Sequence, residues 1–230
     1  MSRLASFKGP STPSASPVRI KSPSAPSSPS RLTESTYHRK IRTLLQELRA
    51  VTETWEDIVL MDGLKAAKGL VDTRTDLDNA LHAFSKTQPT YRLVGPKIAL
   101  MEQYISDLDA VETKLKKQFM KMNHIIENME SVLCEAHKVK GWRWVQEPLW
   151  VTWSLEKFVI SIPNILIPYH RSLTMHAEIM QSLRAHNVSF DVSREAIAKW
   201  AAQPFLEDGG WEARWEDLCA VEIDRWNGQK

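Results

Sequence analysis

The sequence predicts an all-α protein built on two long amphipathic helices that pair as a coiled-coil-like hairpin. Three observations carry this. Ile98, Met101, Ile105, Leu108, Leu115, Phe119, Met122, Ile126, Met129, Leu133 and Ala136 recur at steps of three and four, with charged residues between them. A second stripe, Tyr37, Ile41, Leu44, Leu48, Val51, Trp55 and Ile58, keeps the same alternation. Such spacing puts the apolar residues on one helical face. No run of strand-type alternation stands out.

The N-terminal stretch is rich in Ser and Pro. Residues 1 to 31 hold Arg3, Lys8, Arg19, Lys21 and Arg31 and no acid. It has little to bury and is expected to stay disordered as a basic tail over residues 1–33. Thr33, Glu34 and Ser35 then offer N-cap chemistry. The first helix follows, and its stripe slips phase near Met61 to Gly63. Gly63 and Gly69 each cost about 1 kcal/mol inside a helix, so a bend or break is expected there. Pro89, Gly95 and Pro96 predict the turn, with Pro96 at the first position of the second helix. Only Glu112 interrupts that helix's seam, and Val111 sits beside it. The helix should end near Val139 to Gly141, closing a hairpin region at residues 34–140.

Residues 141–230 read as a Trp-rich helical region packed on that hairpin. Gly141 to Trp153 is expected to be a loop holding Trp142, Trp144, Trp150 and Trp153. Phe158, Ile162, Ile165, Tyr169, Leu173, His176, Met180 and Leu183 form a third stripe. Pro163 and Pro168 within it predict a short helix, a kink, and a longer helix from Asn164 to His186. Ser193 is the expected cap of a short helix with Ile197 and Trp200, stopped by Pro204. A last helix from Gly210 carries Trp211, Trp215, Leu218 and Val221.

Several function classes lose support. No apolar run reaches the roughly 18 residues of a membrane-spanning helix, and the N-terminus lacks a signal-peptide core. Cys134 and Cys219 suit a reducing compartment, and Cys134, beside Leu133, reads as buried. The expected location is the nucleus and/or cytoplasm. His170 and His176 are six residues apart and do not share a helical face. Asp72, Asp76 and Asp78 read as a solvated face, since they lack the glycine and closing glutamate of a calcium loop. No phosphate loop, nucleophile elbow or HExxH occurs. Neither a cofactor nor a metal is expected, and the chain does not read as an enzyme.

Ser16-Pro17-Val18-Arg19 and Ser28-Pro29-Ser30-Arg31 fit the pattern read by proline-directed cell-cycle kinases, and Ser22-Pro23 is a weaker version. Ser16, Ser22 and Ser28 are therefore candidate phosphorylation sites, where a phosphate adds about −1.5 to −2 charges. The tail is too thinly charged for strong nucleic-acid binding. The tryptophans divide. Trp55 reads as core, and Trp150, Trp153 and Trp200 lean that way. For Trp142, Trp144, Trp211 and Trp215, interface and core fit equally.

Pro148-Leu149-Trp150-Val151-Thr152-Trp153, Lys157-Phe158 and Lys199-Trp200-Ala201-Ala202-Gln203-Pro204-Phe205-Leu206-Glu207 resemble the cyclin-dependent kinase 2-interacting protein family. That family orders a Pro-Leu-x-x-Thr-Trp segment, a long helix, a Trp-x-x-Gln-Pro-aromatic segment and a short acidic helix, here Trp215-Glu216-Asp217-Leu218. Trp55-Glu56-Asp57-Ile58 and Leu77-Asp78-Asn79 agree loosely upstream. The resemblance spans roughly residues 37 to 225 through motif order, not through any one specific motif. Pro163 and Pro168 depart from it, falling where the family keeps an unbroken helix. The Ser/Pro tail is also longer than in the family.

The resemblance implies a non-catalytic adaptor that associates with cell-cycle kinases and genome-maintenance factors. It also implies assembly, through a small helical subunit, with an AAA-type ATPase of ribosome maturation. The residues expected at the partner seam are Ile41, Leu44, Leu48, Trp55, Ile105, Leu108, Leu115 and Met122. A second contact is expected around Trp200, Pro204, Phe205, Trp211 and Trp215. Two alternatives stand beside this: a structural coiled-coil linker of a kinetochore or cytoskeleton, and a weak nucleic-acid binder using the tail.

Overall fold

In the computed structural model of the protein, which describes residues 34–83, 91–185, 187–207 and 211–224, Ser35 starts the first helix. Its hydroxyl accepts from the His38 N–H and so fills one of the donors a helix start leaves open. Helix α1 (Thr36–Asp57) buries Tyr37, Ile41, Leu45, Leu48, Val51 and Trp55. Of the bend or break expected at the phase slip, a break is absent: the chain stays helical. Ile58–Gly63 form a π-helical turn, and α2 (Leu64–Ala83) continues from it. The wider turn absorbs the extra residue and brings Ala66, Ala67 and Leu70 back to the core side.

Helix α3 (Tyr91–Lys140) is 50 residues long, about 75 Å at the α-helical rise. Pro96 lies inside it instead of opening it. The bond its ring removes is the one to the Arg92 carbonyl, and both residues are exposed to water. The helix stops at Gly141, whose φ of 84° is left-handed and suits glycine.

Helix α3 runs back along α1 and α2. Lys97 pairs with Asp76 at 2.9 Å, Lys114 with Asp62 at 2.7 Å, and Lys40 with Glu135 at 2.6 Å. These ion pairs are exposed, so they mark the antiparallel register more than they stabilise it. The gap at Glu112 is closed by Val111, which is 3% exposed, while Glu112 turns out to Lys116. Gln118, Ile125 and Val132 are buried as well. The stripe is wider than a two-helix seam because α3 has neighbours on two sides. Cys134 is exposed, not buried, since Val132, Leu133 and Ala136 supply the inward positions of that turn.

After the short α4 (Trp142–Gln146), the segment 147–154 turns back on itself. Leu149 N–H donates to the Trp153 carbonyl at 2.8 Å, and an isolated bridge joins Pro148 to Ser154. Among the described residues there is no strand. Then come α5 (Leu155–Ser161), a 3-10 turn (Ile162–Ile165) and α6 (Leu166–Arg184). Pro163 sits in the 3-10 turn and Pro168 in the first turn of α6, where a missing N–H costs nothing.

Helix α6 forms the third layer. Tyr169 meets Trp55 edge-on at 5.1 Å, and Arg74 donates to the Leu183 carbonyl. On the other side His170 packs on Phe119 at 5.6 Å, and Arg184 pairs with Asp109. It therefore runs parallel to α1–α2 and antiparallel to α3. Helix α7 (Phe190–Ala202) is capped by Ser189, not Ser193, whose hydroxyl donates back to the Ser189 carbonyl. Helices α8 (Pro204–Glu207) and α9 (Trp211–Leu218) and a π turn (Cys219–Asp224) complete the order. Residues from Ser35 onward are one compact unit.

Candidate interaction surfaces

The seam residues expected to face a partner face the chain itself. Ile41, Leu48, Trp55, Leu108, Leu115 and Met122 are 0% exposed, and Leu44 and Ile105 pack partly buried against the same core. The reason is the third layer: α6 covers the stripe that a hairpin alone would leave open.

Of the expected C-terminal contact surface, Trp200 and Trp215 are corrected in the same way. Trp200 is fully buried. Its Nε1 donates to the Val59 carbonyl at 3.0 Å, within the π turn, and its ring meets His176 edge-on at 4.4 Å. The ring lies against Gly63, where a Cβ would come within 2.4 Å of it. Gln203, at φ 42°, ends α7 and accepts from Trp55 Nε1 at 3.3 Å. Pro204 and Phe205 are half-buried and Trp215 is buried. The Trp211 side chain lies outside what is described, as do Ser16, Ser22 and Ser28.

A buried carboxylate holds the 147–154 loop. Glu222, 1% exposed, accepts from the N–H groups of Val151, Thr152 and Trp153 and from the Thr152 hydroxyl at 2.7 Å. Hydrogen bonds to an ionised acceptor are the stronger kind. His38 ties the same loop to α1. The Leu149 carbonyl can only accept, so His38 Nε2 carries the proton of that 2.7 Å bond, and Nδ1 accepts from the Ser35 hydroxyl at 2.7 Å. His176 Nδ1 likewise donates to the Ser172 carbonyl at 2.7 Å. Burial lowers the pKa of both imidazoles from the ordinary value. Each imidazole is tied to a carbonyl and lies beside a serine hydroxyl of its own helix start or turn, Ser35 and Ser172; among the described residues no group of metal-binding side chains occurs. Asp72 and Asp78 are exposed and Asp76 pairs with Lys97, a solvated face.

Two open surfaces among the described residues bear on binding. The first is a groove of about 670 Å³ between α1 and α3. Its floor is Leu44 and Val132, and its walls include Arg39, Lys40, Thr43, Asn128, Ser131 and Glu135. His38 and Arg42 turn to the other flank of α1, toward Trp150, where the centroid distances are 5.9 Å. The groove therefore lies on the side of the hairpin away from the loop. Of the expected seam residues, Leu44 lines it. The second open surface is the turn after α3, where Val139 is 66% and Trp142 56% exposed.

Sequence reasoning missed Glu222 and Gln203 as partners of Thr152 and Trp55. Nothing in local periodicity signals pairs 70 and 148 residues apart. Trp142 was legible, since it stands next to the glycine that ends α3. Among the described residues no helix is long and apolar enough to cross a membrane. Compared with the models of known protein families the chain has no match, and among curated proteins none is significantly similar.

Proposed function

We propose that the chain is a non-catalytic helical adaptor subunit that takes a helix of a partner protein in the α1–α3 groove. The observation that supports this is the uneven covering of the hairpin. Helices α5 and α6 close one side, while the other keeps an apolar floor at Leu44 and Val132. A fourth helix laid there by its apolar stripe completes a bundle. The motif resemblance supplies the partner class: a small helical subunit working with an AAA-type ATPase in ribosome maturation, and cell-cycle kinases or genome-maintenance factors. That setting is nuclear and/or cytoplasmic. The plain rod reading is weaker, because a rod has no need of a third layer closing its own seam.

The test is affinity purification of the full chain from native lysate with mass spectrometry, wild type against Leu44→Asp/Ser131→Arg. Both changes sit at the groove and leave the fully buried core alone. A helical subunit and an ATPase recovered with the wild type and lost with the variant is the expected result. Partners unaffected by the variant, or cytoskeletal partners alone, would overturn the proposal.

A further inference from the structure

The geometry points to a second docking site, at the turn after α3, for an acidic segment of a partner protein that carries a large apolar side chain. Scattered exposed apolar residues are ordinary. Here two stand together, Val139 at 66% and Trp142 at 56% exposure. Gly141 between them has a left-handed φ of 84° and no atom within 4 Å of where its Cβ would be. Trp142 is nevertheless held, its ring edge-on to His137 at 5.6 Å, so it would lose little freedom on binding.

Cations predominate in the sequence between Glu135 and Glu147, which flank this pair. Lys138, Lys140 and Arg143 lie within residues 136–146, which contain no Asp or Glu. Cations in the last turn of a helix are explained by its C-terminal carbonyls, which accounts for Lys138 and Lys140. It accounts less well for Arg143, which lies in the next helix, is 93% exposed and makes a long, solvent-exposed pair with Glu147 at 3.9 Å. It does not account for two apolar side chains left in water. Trp and Arg are the residues that dominate interface energetics, and a cluster of cations selects an acidic partner. A single-stranded nucleic acid would be met by a track of exposed aromatic rings, and this turn exposes a single large one, Trp142.

This inference rests on the adaptor reading only in taking the chain for an interaction module. It uses a different surface from the groove, so the two can fail separately. The experiment is selection of phage-displayed random peptides on the full chain, with counter-selection on Trp142→Ala/Arg143→Ala. Both side chains are exposed, so the variant should fold, which a circular dichroism melt checks. The expected result is enriched peptides that combine Asp or Glu with Leu, Phe or Trp. A synthetic copy should bind at least about tenfold more weakly to the variant. It should also bind more weakly in high salt, and equally well to Leu44→Asp/Ser131→Arg. Enrichment no greater than on the variant, or enriched peptides without acidic residues, would overturn it. So would binding of oligothymidylate, or of equal-part phosphatidylserine–phosphatidylcholine vesicles, in place of peptide.

Discussion

Gly63→Ala should destabilise the fold although it replaces glycine by the best helix former. Mid-helix, the exchange gains about 1 kcal/mol from backbone entropy. Against this, the new Cβ falls 2.4 Å from Trp200 Cζ2 and 3.2 Å from Val111 Cγ1. Carbon contacts settle near 3.5–4.0 Å, so the ring must move by about 1 Å. Trp200 cannot swing aside freely: it is 0% exposed, hydrogen-bonded to Val59 and packed on His176. Overpacking of this kind costs roughly 1–3 kcal/mol, and a displaced indole loses its hydrogen bond for about 1 kcal/mol more. The net expectation is a loss of about 1–3 kcal/mol, read as a lower urea midpoint with unchanged slope. Gly95→Ala is the control. It is helical and exposed, with nothing within 4 Å of the built Cβ, so it should gain about 0.5–1 kcal/mol. In Gly63→Ala/Trp200→Phe the smaller ring vacates the clash, and the pair should cost less than the sum of its parts. A Gly63→Ala protein as stable as wild type would refute the account of Trp200 docking on the π turn.

Three further outcomes are expected. Glu222→Ala leaves three part-buried N–H donors without their acceptor and should cost about 1–2 kcal/mol in chemical denaturation, with Glu222→Gln intermediate; an unchanged midpoint would show that the loop is held by other contacts. Because burial lowers the His176 and His38 pKa values below that of a free imidazole, the unfolded chain takes up protons first as pH falls. Stability should thus be flat above about pH 6.5 and decline below it until the native imidazoles protonate. Denaturation midpoints at about pH 7.5 and 5.5 measure this decline, which His176→Leu should reduce; a midpoint that rises on acidification would contradict it. Leu108→Asp/Leu115→Asp should abolish cooperative unfolding, each buried carboxylate costing about 3 kcal/mol or more at a position with 0% exposure; a native-like melt would mean the seam is not internal.

What the sequence made legible was local. The two stripes, the glycine stop at Gly141 and the interruption of the third stripe at Pro163, a 3-10 turn, all follow from the 3.6-residue period and from backbone chemistry. The slip at Met61–Gly63 was visible too, but periodicity cannot tell a break from a π turn. The difference lies in Trp200, 141 residues away from the Val59 carbonyl it caps. The same limit explains the seam. An apolar stripe says that something covers it, not whether the cover is α6 of the same chain or a helix of another. Periodicity marks Leu44 as it marks Leu48, yet only Leu44 lies on the flank that α6 leaves open.

The segments that carry the family resemblance meet one another inside the fold. Trp55 bonds Gln203, Trp200 caps the π turn that follows Trp55, and Thr152 with its neighbours holds Glu222. The first two links fasten the end of α7 to the hairpin, and the third fastens the 147–154 loop to the C-terminal π turn. Residues that make such fastenings report how the chain folds, not what it binds. Substitutions at Trp55, Thr152 or Trp200 should therefore weaken partner binding only in step with stability. Changes at Leu44 or Trp142 should separate the two, lowering affinity while the melt stays in place. Affinity tracking stability at all five positions would mean that binding uses the core fold itself, and that neither open surface is the contact.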